Sequence, residues 1–281
     1  MWQIESVDIE RDLAVVLRAV PFEERHLIVT AITENHGRLC ALARNSIQSR
    51  RFGGTLELFA ASEWLFSQKP GAEMCRLNEA QIKRGFEGIR KDFQKFALGS
   101  AFSELMLKLA PERESCTDLF KLHTNAIAAL EEQEPFFPKH ALCFLNSYLS
   151  KILQWNGTQP QTAYCSLCKN TPKDFQEKRN IWFCQVERAS LLCEACASVS
   201  AEQMRPVPNV FVLSNCAITS LNSFLSSPIR KSIDEAKDDL SDQKRLFGFI
   251  EALLAYHVPG FDKDPLKALR FLDLESNLRP N

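Results

Sequence analysis

Five of the ten cysteines, Cys165, Cys168, Cys184, Cys193 and Cys196, fall within thirty-two residues. Cys165 and Cys168 form one Cys-x2-Cys pair and Cys193 and Cys196 another, with twenty-four residues between them. A pair so spaced turns tightly enough to aim two sulfurs at one point, and two pairs supply the four thiolates of a tetrahedral, zinc-type site. Four thiolates fill the coordination sphere, so the ion would brace the fold rather than activate water. None of the five histidines lies in the segment and no His-Glu-x-x-His run occurs. Two other readings stand beside this one: metal-free buried cysteines, or a dithiol redox couple, although the usual βαβ setting of the latter is missing. Cys184, the odd thiol, is expected in a strand interior, with ligand substitution as its alternative.

The stretch between the pairs has little apolar mass beyond Phe175, Ile181, Trp182, Phe183 and two leucines, so burial alone would not fold it. Zinc binding to such sites is worth roughly 10 to 16 kcal/mol, enough to offset the ordering cost. No glycine follows Cys168 or precedes Cys193, so the turns fall to ordinary residues such as Lys169 and Asn170.

A second concentration of chemistry is the run from His36 to Gly54, which holds Arg38, Arg44, Arg50 and Arg51 and no acidic residue. Such a donor-rich loop suits phosphate oxygens, while the plain alternative is a solvated surface loop. Phe52, Trp64 and Phe66 are available for base stacking, though alternation makes the last two core candidates. Lys83, Arg84, Arg90, Lys91 and Lys95 read as a solvated helix face or an extension of a binding track. No phosphate-binding Gly-x4-Gly-Lys loop, dinucleotide fingerprint or nucleophile elbow occurs.

These groups sit in a chain of 281 residues, 45% hydrophobic and 25% charged, with a net charge of −1. That is ordinary globular composition, long enough for two domains, and no global field draws it to nucleic acid. The N-terminus is acidic and interrupted by charges, and no window approaches twenty consecutive apolar residues. The expectation is a soluble, cytoplasmic protein with reduced thiols and no membrane contact.

The runs 12–20, 26–33, 38–43 and 62–67 are rich in branched and aromatic residues and predict four or five short strands of a small barrel or sandwich. From Asn78, Ile82, Phe86, Ile89, Phe93 and Phe96 recur at helical spacing, and the helical segment continues to Pro111. Further helices are expected over 118–130, 138–155, 214–226, 241–257 and 265–274, the last with Asp264 and Pro265 as cap and first-turn residues. The expectation is an α+β chain: a β domain, then an all-α domain carrying the cysteine unit as an insertion.

The series from "VVLRAVPFEERHLIVTAITENHGRLCALARNSIQSRRFGG" through "FSELMLKLAPE", the paired cysteines and "YHVPGFDKDPLKALRFL" resembles the bacterial RecO family of recombination mediators over nearly the whole chain. The resemblance implies an N-terminal OB-fold over residues 1–78, a helical domain over 79–281, and a zinc unit at 163–198 holding one structural Zn2+ on Cys165, Cys168, Cys193 and Cys196. It implies a non-enzymatic role: binding single- and double-stranded DNA, annealing strands, engaging RecR and the acidic tail of the single-stranded-DNA-binding protein, and helping to load RecA. The family's basic loop falls on Arg44, Arg50 and Arg51, with Arg38 on the preceding strand. The loop departs from the family in being less basic, since Asn45, Ser46, Ile47 and Gln48 are uncharged; Ala189 and Ser190 replace the glycines often found before the second cysteine pair. The alternative function is a protein-only adaptor whose barrel recognises peptides.

Overall fold

The computed structural model describes residues 8–47, 49–69, 71–171, 181–203, 210–235, 239–259, 261 and 266–272. The chain divides into two compact units, Met1–Glu132 and Gln133–Asn281.

The first unit begins with β1 (Asp8–Phe22), β2 (His26–Thr33), β3 (Gly37–Ala43), β4 (Ala61–Gln68) and β5 (Cys75–Arg84). They close into a barrel in the order β1-β2-β3-β5-β4. All neighbours are antiparallel except β3 and β5, which pair in parallel through Ala41 and Cys75. This is an OB-like arrangement. The long β1 serves two neighbours, β4 along its first half and β2 along its second, and the register breaks between Val16 and Arg18. Such a bulge bends a strand, which lets one strand turn the barrel's corner.

Alternation along the strands sends Ala14, Val16, Val29, Ala31, Ala41 and Leu77 inward. The small alanines leave volume for Trp64 and Phe66, which are fully buried, and Phe52 joins the same core. The three rings expected as possible stacking faces are therefore core.

One end of the barrel is closed by His36 in the β2–β3 hairpin. Its ring bonds Asp12 and Glu10 of β1 and meets Phe66 edge-on at 5.4 Å. The next residue, Gly37, has φ 63°, and a Cβ there would overlap the carbonyl oxygens of Pro111 and Glu114. The hairpin therefore lies flush against the chain that follows Leu109, and the Arg38 N–H donates to Pro111 O at 2.8 Å.

After the barrel come α1 (Glu87–Lys91), α2 (Phe93–Leu109) and α3 (Thr117–Glu132). The structure departs here from the helix expected from Asn78: β5 runs past residue 78 to Arg84, and Ile82 is on a strand. Residues 81–84 are exposed, so the strand's end lacks the alternating burial that would announce it, and the apolar spacing mimics a helix. The basic run is likewise dispersed: Lys83 and Arg84 on β5, Arg90 and Lys91 on α1, and Lys95 buried in α2 with Nζ donating to Glu131 O at 3.2 Å. Glu131 also accepts from the N–H groups of Gly88 and Ile89, capping α1 from α3.

The second unit contains α4 (Pro138–Trp155), β6 (Gln161–Cys165), β7 (Ile181–Gln185), β8 (Ser190–Cys193), α5 (Glu194–Gln203), β9 (Val210–Ser214), α6 (Asn215–Ser226), α7 (Ile229–Glu235) and α8 (Leu240–His257). α4 is buried all round over 141–150 and serves as the hub that α6, α7 and α8 pack against. Ser214 and Asp239 cap α6 and α8 through their side chains. The four strands form one sheet in the order β6-β8-β7-β9, tied to the helices by Phe211 against Phe249 at 5.8 Å and by Trp182 Nε1 donating to Asn215 at 3.3 Å. The expected helix over 265–274 is a 3-10 helix at Lys267–Leu272; Asp264 and Pro265 lie outside the described residues. Among the described residues no helix is long and apolar enough to cross a membrane.

Candidate metal centre and nucleic-acid face

β6 and β8 run parallel, so both chains leave the sheet at the same end, and that is where the cysteines meet. Cys165 ends β6, Cys168 lies in the turn after it, Cys193 ends β8 and Cys196 sits in the first turn of α5. The four Sγ atoms all lie within 4.8 Å of one another, and those of Cys168 and Cys193 are 3.7 Å apart. A tetrahedral ion with metal–sulfur bonds of about 2.3 Å places its sulfurs about 3.8 Å apart, so the set fits one such ion.

The first turn is closed by Lys169 N–H to Cys165 O at 3.0 Å and Cys165 N–H to Asn170 O at 2.7 Å. Lys169 adopts φ 67°, the conformation a glycine would take most easily. Ala189, at φ 44°, does the same in the β7–β8 turn.

Burial alone would raise the Cys165 thiol, but N–H groups of Cys193, Cys168 and Leu167 bring it down to about 6. Burial and the neighbouring sulfurs hold Cys196 up at about 12. Four sulfurs this close ionise together only around a cation. Cys184 stands apart: it is buried in β7, its thiol pushed up by burial, and it is not in the cluster.

The arginines of the first unit separate into two kinds. Arg38, expected to meet DNA, donates to Leu107 O and to Glu112 at 2.7 Å. Arg90 and Arg113 are spent in the same way on backbone carbonyls. Arg44 and Arg51 are exposed. Arg44 follows β3 beside the β1–β2 loop, where Asn45 N–H donates to His26. Arg51 lies toward β5, 4.0 Å from Glu79. Arg50 opens the 3-10 turn Arg50–Phe52; its side chain and all of Gln48 lie outside the described residues.

Register reveals what spacing alone concealed. Ala19, Val29, Ala41 and Cys75 form one inward row across β1, β2, β3 and β5, so the rows beside it face outward. Those outward rows are Arg18, Thr30 and Cys40, then Val20, Ile28, Leu42 and Arg76. Arg18 and Arg76 are exposed and flank a partly apolar strip; Arg25, just before β2, and Arg44, just after β3, are exposed as well. Among the described residues these four arginines have no ion-pair or side-chain hydrogen-bond partner. Arg18 and Arg76 are far apart in sequence, and only strand pairing puts them on one face.

A model of the recombination protein O N-terminal family matches residues 8–86, and one of the recombination protein O C-terminal family matches residues 90–265. The DNA repair protein RecO of Desulfatibacillum aliphaticivorans is 29% identical over 261 residues, 92% of this chain and 94% of the relative. That of Syntrophus aciditrophicus is 28% identical over 207 residues, covering 73% and 74%. That of Rhodopirellula baltica is 26% identical over 185 residues, 66% of each.

Proposed function

The chain belongs to the RecO family of DNA repair proteins, and from that premise we propose that it is a non-enzymatic mediator that binds single- and double-stranded DNA and anneals complementary strands. The observation that supports this reading most directly is the outward face of β1, β2, β3 and β5, where Arg18 and Arg76 flank the strip of Val20, Ile28 and Leu42, with Arg25 and Arg44 exposed next to the adjoining ends of β2 and β3. Guanidinium groups with unspent donors are suited to phosphate oxygens, and an apolar strip between them can take sugars and base faces. Neutralised phosphate backbones no longer repel, so pairing of two strands needs no nucleotide hydrolysis. We assign Arg50 and Arg51 to the same electrostatic field and Arg38 to structural support.

In this reading the four-cysteine cluster holds one Zn2+ through Cys165, Cys168, Cys193 and Cys196. When bound, the ion supplies cross-linking of two strand ends and nothing catalytic. The family premise gives the protein partners RecR and the acidic tail of the single-stranded-DNA-binding protein, with RecA loading downstream.

The test is annealing of complementary oligonucleotides coated with single-stranded-DNA-binding protein, comparing the native chain with Arg18→Ala/Arg76→Ala. Loss of annealing with an unchanged melting temperature supports the reading. A native chain that leaves oligonucleotides unbound at low salt would favour a protein-only adaptor instead.

A further inference from the structure

The barrel carries a second set of cations, on β1, β4 and β5, whose charge contacts differ from those elsewhere in the unit. Outward residues there pair as Arg11, Leu65 and Glu79, then Leu13, Glu63 and Gln81. Of these, Arg11, Glu63, Leu65, Glu79 and Gln81 line a groove of about 290 Å³ together with Arg51. One oxygen of Glu63, Oε2, lies 3.7 Å from both Arg11 Nη1 and Lys83 Nζ. Glu79 Oε1 is 4.0 Å from Arg51 Nη2. A hydrogen bond between such groups is about 2.7 to 2.9 Å long, so these contacts are charge proximity without bonding.

The structural arginines provide the contrast: Arg38–Glu112 measures 2.7 Å, Arg84–Glu132 3.0 Å and Arg90–Glu57 2.6 Å. Arg11, Arg51 and Lys83 are exposed at 68%, 54% and 45%, and their side-chain N–H groups make no hydrogen bond among the described residues. Exposed ion pairs of this kind are worth about 1 kcal/mol or less, so a better anion displaces the carboxylates at little cost. Beside them on β1, Ile9 and Leu13 project to the same side at 65% and 37% exposure, an apolar surface next to three cations.

Resting on the function proposed above, we infer that this groove is a second site for single-stranded nucleic acid, with Glu63 and Glu79 as displaceable counter-ions that keep it weaker than the first. The two faces share β1 and β5, and Arg76 on β5 borders both: it pairs with Leu42 on one side and with Ser67, opposite Ile9, on the other. Two strands held on adjoining faces of one barrel are brought within reach of each other. A weak second site releases its strand once pairing begins.

The experiment measures how many thymidine oligonucleotides of about eight residues, a length within the usual site size of one OB-fold, bind the full chain at low salt. Thymidine strands cannot pair, so two binding events mean two sites. The second event should tighten by about three- to tenfold in Glu63→Gln/Glu79→Gln. It should vanish in Arg11→Ala/Lys83→Ala while the first is retained and the melting temperature is unchanged. A single event, lost in Arg18→Ala/Arg76→Ala and indifferent to Arg11→Ala/Lys83→Ala, overturns this inference alone, as does a second event that ignores both carboxylate substitutions. No binding at all overturns it together with the reading it rests on.

Discussion

The imidazole Nδ1 of His36 lies 2.7 Å from Oδ2 of Asp12, whose side chain has no exposed surface. Three further donors converge on this carboxylate: the Leu13 N–H at 2.8 Å, and the Asn35 N–H and Nδ2, both at 2.9 Å. On the other side of the ring, Nε2 is 2.6 Å from Glu10 Oε2. With a carboxylate on each nitrogen, the imidazole is held as the doubly protonated cation.

That arrangement fixes a pH dependence. Burial by itself would lower the His36 pKa, but hydrogen bonds and charge from Asp12 and Glu10 outweigh it and raise the value above 6.5. A raised histidine stabilises the fold fully below its unfolded pKa, and the contribution is lost as pH rises through the folded one. The barrel should therefore melt progressively lower from neutral to alkaline pH. His36→Gln should flatten that slope and cost about 1 to 2 kcal/mol below neutrality. A thermal-melt series in which both chains show the same slope would remove His36 as the source.

The cysteine cluster predicts a sharp difference between neighbouring thiols. Cys168→Ser and Cys196→Ser should lose the metal, measured as one zinc per chain, and Trp182 fluorescence should shift to the red. Trp182 is buried and pairs directly with Cys193 across β7 and β8, so it reports the integrity of that corner. Cys184→Ala should retain one zinc and cost about 1 to 2 kcal/mol in a small cavity. Equal metal loss from Cys184→Ala would contradict the four-ligand set.

For the arginines, the salt dependence of oligonucleotide binding separates the two kinds. If four phosphates are neutralised on the proposed face, log K should fall with log salt at a slope of about −3. Removing Arg44 or Arg76 should reduce the magnitude of that slope by about 0.7 each. Arg38→Ala should leave the slope intact and lower stability by about 1 to 3 kcal/mol, because its bonds to Leu107 O and Glu112 are internal.

Gly37→Ala should be among the most destabilising single changes in the first unit, by about 3 kcal/mol or more. It combines a left-handed backbone with overlap against two main-chain oxygens that have no freedom to rotate away. Urea denaturation gives the measurement, and a loss under about 1 kcal/mol would mean that the hairpin can lift off the chain beneath it.

Some of this was written plainly in the sequence and some was not. β2 at His26–Thr33 and α4 at Pro138–Trp155 occupy their expected spans, because each has a strong pattern with clear punctuation at both ends. The four clustered thiols follow from spacing, since Cys-x2-Cys geometry is local. β5 was obscured because its exposed end carries Ile82 in step with the helical residues after it. The arginine face was illegible for a different reason: Arg18 and Arg76 reach one face of the barrel through a bulge after Val16 and the parallel pairing of β3 with β5, both long-range facts. The acceptors of Arg38, Leu107 O and Glu112, lie about seventy residues along the chain, so no local spacing announces them.

Closure of the barrel rests on its shortest seam. β3 and β5 meet over three residue pairs, Ala41–Ala43 against Cys75–Leu77, whereas every other pair of neighbouring strands is joined over seven or eight. If the proposed face receives a nucleic acid, contact made through guanidinium groups such as those of Arg18 and Arg76 would meet phosphates and carry no information about base sequence.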